Sequence, residues 1–242
     1  SKPDGYTIGM GTVSSNAINQ TLYKTLPYDK EKGFAPISLI ASLPNVLVVN
    51  PDKIKANNVE ELIAFLKTEP GKHTYASSGV GTSIHLAGEL LATKSGVKIT
   101  HVPYKGSSQA ILDVVAGHVD MMFDNIPTAA QQVKAGKVKA LAVTSLEKAA
   151  LLPDVPTMAS VIPGFEATSW HGLFAPPGTP PEIVEKLSKE VQAIIAEPAM
   201  QEKLKAMGVT PIGNTSAEFQ AFIDKETVKW AEVIKAANVP LQ

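Results

Sequence analysis

The stretch at positions 75–85 reads Tyr75-Ala76-Ser77-Ser78-Gly79-Val80-Gly81-Thr82-Ser83-Ile84-His85. Its first residues favour a β-strand, its serines and glycines favour a tight turn, and its threonine is a typical cap for a following helix. The first N–H groups of a helix lack backbone partners and lie at the positive end of the helix dipole. The stretch therefore predicts a strand–turn–helix unit that holds a small anionic solute, although an ordinary capped turn has the same pattern.

Strands and helices alternate on the C-terminal side of this turn. The predicted strands cover residues 73–77, 99–103, 119–123 and 140–143, and the predicted helices cover 82–94, 107–116 and 126–135. In the second helix, Ile111, Leu112 and Val115 are expected to face inward. This alternation is typical of an α/β fold with a parallel, doubly wound sheet, in which ligands lie at the carboxyl ends of the strands.

The remaining segments are predicted with the same local rules. Near the N-terminus, a strand at 6–10 runs into a polar turn at 11–16 and a short helix that ends at Tyr23. Two separate strands are expected at 36–43 and 46–49, followed by a helix at 59–67 that Asn58 caps. In the last third, residues 174–181 form a predicted loop before helices at 182–196 and 198–207, a strand at 210–212 and a final helix.

The composition narrows the function classes. The chain has 242 residues, no cysteine and a net charge of -1, which argues against disulfides, thiol chemistry and nucleic-acid binding. All 22 basic residues are lysine. Because the guanidinium fork is absent, a bound anion must be held by backbone N–H groups, hydroxyl groups, lysine or water.

No motif predicts catalysis. The chain lacks the Gly-x-Ser-x-Gly elbow of serine hydrolases, and its histidines do not form a His-x-x-x-His pair. His101 and His171 stand isolated in the sequence. We therefore expect neither an enzyme nor a metal or cofactor site.

Several motifs, in order along the chain, resemble the solute-binding proteins of tripartite tricarboxylate transporters, often called the Bug family. They are positions 75–85, 3–7 (PDGYT), 26–29 (LPYD), 34–36 (FAP), 101–106 (HVPYKG), 115–120 (VAGHVD), 155–157 (VPT), 170–176 (WHGLFAP) and 178–180 (GTP). The resemblance implies the type II, Venus-flytrap fold of periplasmic binding proteins, with lobe 1 at 1–47 and 171–242 and lobe 2 at 48–170. Because family members usually have about fifty further residues before Pro3, lobe 1 is expected to be incomplete at its N-terminus.

The resemblance also implies where a ligand lies and what the protein does. By position, the ligand contacts fall on Ser78, Gly79, Gly81, Thr82, His85 and Asp124 in lobe 2 and on Thr12, Ser14 and Asn16 in lobe 1. The implied function is capture of a small carboxylate (a di- or tricarboxylate, an aromatic acid or an acidic amino acid) for membrane transporter subunits. The protein is expected to be periplasmic, with its export signal absent from this chain, and monomeric, with the incomplete lobe as the surface for any association. A sensor subunit with the same fold, or a small-molecule enzyme, are the alternatives.

Overall fold

The computed structural model describes residues 1–28 and 33–242, so Asp29, at the end of one family motif, lies outside the described residues. The chain forms two compact units: unit 1 is Ser1–Ser42 with Trp170–Gln242, and unit 2 is Leu43–Ser169. The family resemblance places the lobe boundaries after residues 47 and 170, whereas the two units divide after residues 42 and 169. The first boundary lies earlier because the chain already pairs within unit 2 at Asn45, which lies opposite Asn125.

The strands alternate with helices along much of the chain. The strands are β1 (Gly9–Thr12), β2 (Ala35–Val49), β3 (Thr74–Ser77), β4 (Thr100–Pro103), β5 (Met121–Asn125), β6 (Lys139–Val143), β7 (Thr168–Ala175) and β8 (Thr210–Pro211). The helices are α1 (Asn19–Leu22), α2 (Val59–Thr68), α3 (Ser83–Ser95), α4 (Ser107–Ala116), α5 (Ile126–Lys134), α6 (Pro181–Ala196), α7 (Pro198–Ala206) and α8 (Ser216–Ala236). A π-helical turn (Ser14–Ile18) precedes α1, and a 3-10 turn (Met158–Ser160) follows β6.

The sheet of unit 2 is mixed rather than wholly parallel. Strand β3 lies between β4 and β5 and runs parallel to both. The second half of β2 lies between β5 and β6 and runs antiparallel to both. The strands β3, β4, β5 and β6 share one direction, as predicted, and β2 alone makes this sheet mixed. The separate strands predicted at 36–43 and 46–49 are wrong, because β2 continues through Pro44 as one strand.

The helix boundaries in unit 2 follow the local signals. Asn58 caps α2 by accepting a hydrogen bond from the Glu61 N–H at 2.7 Å, and Gly96 ends α3 with a φ of 68°. These features confirm the predicted helix ends. The prediction that Leu112 faces inward is wrong. Helix α4 buries Ala110, Ile111 and Val114, whereas Leu112 is 57% exposed.

Unit 1 has its own antiparallel strand pairs. Strand β1 pairs with β7, and the first half of β2 pairs with β8. The sequence does not predict β7, which spans the predicted lobe boundary after residue 170 and the start of the loop predicted at 174–181. The predicted strand at 6–10 begins later, at Gly9. Helix α8 packs its buried face, which includes Trp230, close to Trp170 of β7.

Two features are absent from residues 1–28 and 33–242. No helix in this part of the chain combines the length and the hydropathy that a bilayer crossing needs. Nor does it contain a group of three or more histidine, aspartate or glutamate side chains that could hold a metal ion.

Candidate functional site

Three helices of unit 2 begin at one edge of the sheet. Strands β3, β4 and β5 are parallel, and each is followed directly along the chain by α3, α4 or α5. None of these three helices has an acidic residue in its first turn, whereas α2, α6 and α8 each do. The positive ends of three helix dipoles therefore meet at this edge. No acidic side chain in the first turns of these helices neutralises them.

The turn between β3 and α3 is held by its own polar groups. The Gly79 N–H donates to Ser77 Oγ at 3.1 Å, and the Thr82 hydroxyl donates to the Gly79 carbonyl at 2.8 Å. Thr82 Oγ1 also accepts from the His85 N–H at 3.2 Å and so caps α3. The positive φ values of 135° at Gly79 and 77° at Gly81 explain why glycine occupies these positions. The strand–turn–helix prediction is confirmed.

His85 of α3 stabilises the turn between β3 and α3. Its side chain is buried, its Nδ1 atom accepts from the Gly81 N–H at 3.3 Å, and its Nε2 atom lies 3.6 Å from Glu89 Oε1. The Tyr75 hydroxyl donates to the same Glu89 oxygen at 2.5 Å. Burial raises the pKa of Glu89, but the hydrogen bonds from His85 and Tyr75 outweigh burial and hold it below its usual value. Ligand contact by Gly81 and His85 stays a prediction, because these groups already have protein partners.

His101 completes this cluster, although the sequence shows it as isolated. Its Nε2 atom lies 2.6 Å from Ser77 Oγ, and its ring stacks on the His85 ring with centroids 4.0 Å apart. Burial, together with His85, lowers the pKa of His101 to about 4. The only signal for this contact is the pairing of β3 with β4, which places His101 opposite Tyr75. The contact could not be predicted from the sequence, because the sequence alone does not show which strands pair.

Acid is expected to weaken the fold through His101. Its folded-state pKa is about 4, below the usual 6.5, so the unfolded chain takes up a proton first as the pH falls through this range. The wild type should therefore lose stability relative to His101→Gln between about pH 6.5 and about pH 4. At higher pH, the free energies of unfolding of the two proteins should change with pH in the same way. Urea unfolding of both proteins at a series of pH values measures this. Equal pH dependence in the two proteins would show that His101 titrates normally.

Asp124 lies at the same edge of the sheet. Strands β3 and β5 pair Ala76 with Met122, so Ser78 and Asp124 each follow two residues later. The Asp124 Oδ1 atom accepts hydrogen bonds from the Ser107 hydroxyl and, at 2.8 Å, from the Asn125 N–H. In the described parts of the chain, its buried Oδ2 atom has no hydrogen-bond partner. Burial raises the pKa of Asp124 to about 6, against the effect of these two hydrogen bonds.

The predicted contacts in unit 1 form a polar turn of their own. The Asn16 amide donates to the Thr12 carbonyl at 3.3 Å and to Ser15 Oγ at 2.8 Å. Ser14 is half-buried in the π-helical turn. Asn16 also lines a concavity of about 440 Å³, whose other walls include Ile8, Met10, Phe34 and Phe174. These walls are largely apolar, and the part of Thr12, Ser14 and Asn16 in ligand binding stays a prediction.

Comparison with known proteins identifies the family. The model of the tripartite tricarboxylate transporter family receptor matches residues 1–239. The chain belongs to this family. Its members are solute receptors, which agrees with a sheet edge that offers hydrogen-bond donors and positive helix ends.

Individual members of the receptor family are similar along nearly the whole chain. A UPF0065 protein in the tcbD–tcbE intergenic region of Pseudomonas sp. strain P51 is 41% identical over 233 residues, which cover 96% of this chain and 69% of that protein. The structure of R. palustris Rpa4515 with adipate has a TM-score of 0.92 and 36% identity, covering 98% of this chain and 80% of that one. The structure of the periplasmic binding protein BugD has a TM-score of 0.89 and 37% identity, covering 100% and 81%. The predicted family and its binding-protein fold are thus confirmed.

Proposed function

We propose that this receptor captures a small carboxylate in the periplasm and delivers it to the membrane subunits of a tripartite tricarboxylate transporter. The observation that carries the proposal is the meeting of three helix N-termini, free of acidic first-turn residues, beside the Ser77–Thr82 turn. An aliphatic dicarboxylate is the first ligand class to test, because Rpa4515, at 36% identity, is known with adipate.

The residues at this edge suit a carboxylate without supplying chemistry. Backbone N–H groups at the helix ends and the Ser78 hydroxyl donate hydrogen bonds to the anion, and the helix dipoles favour its charge. Such a site agrees with a chain that has no arginine. We expect a bound dicarboxylate to be released unchanged, and proton NMR of the recovered compound after prolonged incubation would reveal any turnover.

Removing hydroxyl groups of the turn should weaken binding of adipate or a shorter dicarboxylate. We expect Ser78→Ala and Thr82→Val together to cost about 1–3 kcal/mol of binding free energy, because the ligand loses the Ser78 hydroxyl as a donor and the turn loses the Thr82 hydroxyl that holds the Gly79 carbonyl. Isothermal titration of the full chain with aliphatic dicarboxylates from malonate to adipate measures the affinity.

A matched control separates binding from folding. Thr82 also caps α3, so its replacement lowers stability as well as removing a hydroxyl. Thr215→Val removes the corresponding cap from α8 in unit 1, where Thr215 Oγ1 accepts from the Glu218 N–H at 3.2 Å. We expect Thr215→Val to lose stability without losing affinity. If both variants weaken binding equally, or if the turn variant binds as tightly as the wild type, the ligand lies elsewhere.

A further inference from the structure

The two oxygens of the Asp124 carboxyl group have different surroundings. The Oδ1 atom has two donors, Ser107 and Asn125, whereas Oδ2 is buried with none among the described residues. The whole residue is 0% exposed. A buried carboxylate normally has hydrogen bonds on both oxygens or a cation beside it. Burial favours the neutral form of such a carboxyl group, in which Oδ1 accepts as a carbonyl and Oδ2 has a hydrogen to donate.

We propose that the Asp124 Oδ2 hydroxyl donates a hydrogen bond to the second carboxylate of a dicarboxylate ligand whose first carboxylate lies at the Ser77–Thr82 turn. This rests on the proposed function and names the ligand class of the same site. The position of Asp124 fits this role, because it follows the β3–β5 pairing to the same edge as Ser78. A ligand oxygen beside Oδ2 would supply the hydrogen-bond partner that the described residues do not provide.

The neighbouring ionisable groups leave Asp124 free to act in this way. The titratable side chains of the elements that pack against β5 are Tyr75 on β3, His85, Glu89 and Lys94 on α3, Asp113 on α4 and Lys134 on α5. None of them contributes to the raised pKa of Asp124, which burial sets against the hydrogen bonds from Ser107 and Asn125. Strand β2 has no titratable side chain, and its Asn45 Oδ1 atom accepts from the Asn125 amide at 2.6 Å.

This role links ligand binding to a proton. With its pKa near 6, Asp124 is mostly ionised in the free protein at higher pH, and an ionised Asp124 would repel a second carboxylate. Binding of a dicarboxylate therefore takes up one proton from solvent, which stays on Oδ2 and faces the ligand oxygen. Affinity for the dicarboxylate should consequently fall about ten-fold for each pH unit above the pKa of Asp124.

The experiment is a pH series of titrations between about pH 7 and 8.5, where aliphatic dicarboxylates are almost completely ionised. The probes are the tightest-binding aliphatic dicarboxylate and the monocarboxylate of the same chain length. We expect the wild type to show the ten-fold fall for the dicarboxylate only. Asp124→Asn places an amide N–H₂ at the Oδ2 position, so it should bind the dicarboxylate with an affinity that hardly changes with pH.

The outcomes separate this proposal from the proposed function. If both probes bind with no pH dependence, or if Asp124→Asn keeps the wild-type slope, the proposal is wrong while carboxylate capture stands. An affinity that rises with pH would also overturn it, because binding would then favour the ionised form of Asp124. If neither probe binds the wild type, the proposed function itself fails for these carboxylates.

Discussion

Replacement of Glu226 by alanine is expected to lower the free energy of unfolding by about 3–5 kcal/mol. Glu226 is buried on α8, and its Oε2 atom accepts from the indole N–H groups of Trp170 at 3.1 Å and Trp230 at 3.0 Å. Its other oxygen pairs with Lys229. Alanine would leave two fully buried indole donors without an acceptor, and each unsatisfied donor is costly.

Two further variants on α8 and the native fluorescence make this test specific. Glu226→Gln keeps one oxygen as an acceptor and should recover much of the loss. Glu232→Ala changes an exposed glutamate on the same helix and should alter stability by less than about 0.5 kcal/mol. The chain has only two tryptophans, so urea unfolding followed by their fluorescence reports on this contact directly. A loss for Glu226→Ala no larger than that for Glu232→Ala would show that the indole groups find other partners.

Replacement of Gly88 by alanine is expected to destabilise the protein by about 1–3 kcal/mol, although alanine is the better helix former. A Cβ atom at Gly88 would lie 2.2 Å from Tyr75 Cε2. The Tyr75 ring is buried, stacks on His101 with centroids 4.9 Å apart, and is tied to Glu89 through its hydroxyl. The ring therefore has little room to move, and its displacement would disturb the contacts behind the Ser77–Thr82 turn.

A double-mutant cycle with Tyr75→Leu identifies the cause. If the clash with the Tyr75 ring is responsible, Gly88→Ala should be close to neutral in the Tyr75→Leu background. Thermal unfolding of the four proteins gives the coupling free energy. The same loss in both backgrounds would assign the effect to the backbone of α3 instead of the Tyr75 ring.

The features that the sequence predicts well depend on residues close together in the chain. Asn58, Thr82 and Gly96 define helix ends because caps act within one turn. The turn after β3 is predicted for the same reason. The family motifs also predict the binding-protein fold, because their order along the chain is specific.

The features that the sequence misses depend on pairing between distant segments. The antiparallel direction of β2, and its continuation through Pro44, follow from partners about seventy to a hundred residues away. The stacking of His85 on His101 depends on the pairing of β3 with β4. Leu112 is apolar and adjacent to Ile111, but α4 buries the face that carries Ala110, Ile111 and Val114 and leaves Leu112 exposed. The free oxygen of Asp124 likewise becomes visible only when α4 brings Ser107 to the other oxygen.

Carboxylate binding at the edge of unit 2 is tested most directly by an NMR titration of the isotope-labelled full chain with adipate and shorter dicarboxylates. Carboxylate capture at the edge of unit 2 predicts that the amide resonances of Ser78, Gly79 and the first residues of α3 and α4 shift in a saturable manner. The resonances of β1, beside the apolar concavity of unit 1, serve as the comparison. Saturable shifts at β1, with the turn at Ser77–Thr82 and the start of α4 unaffected, would contradict the account.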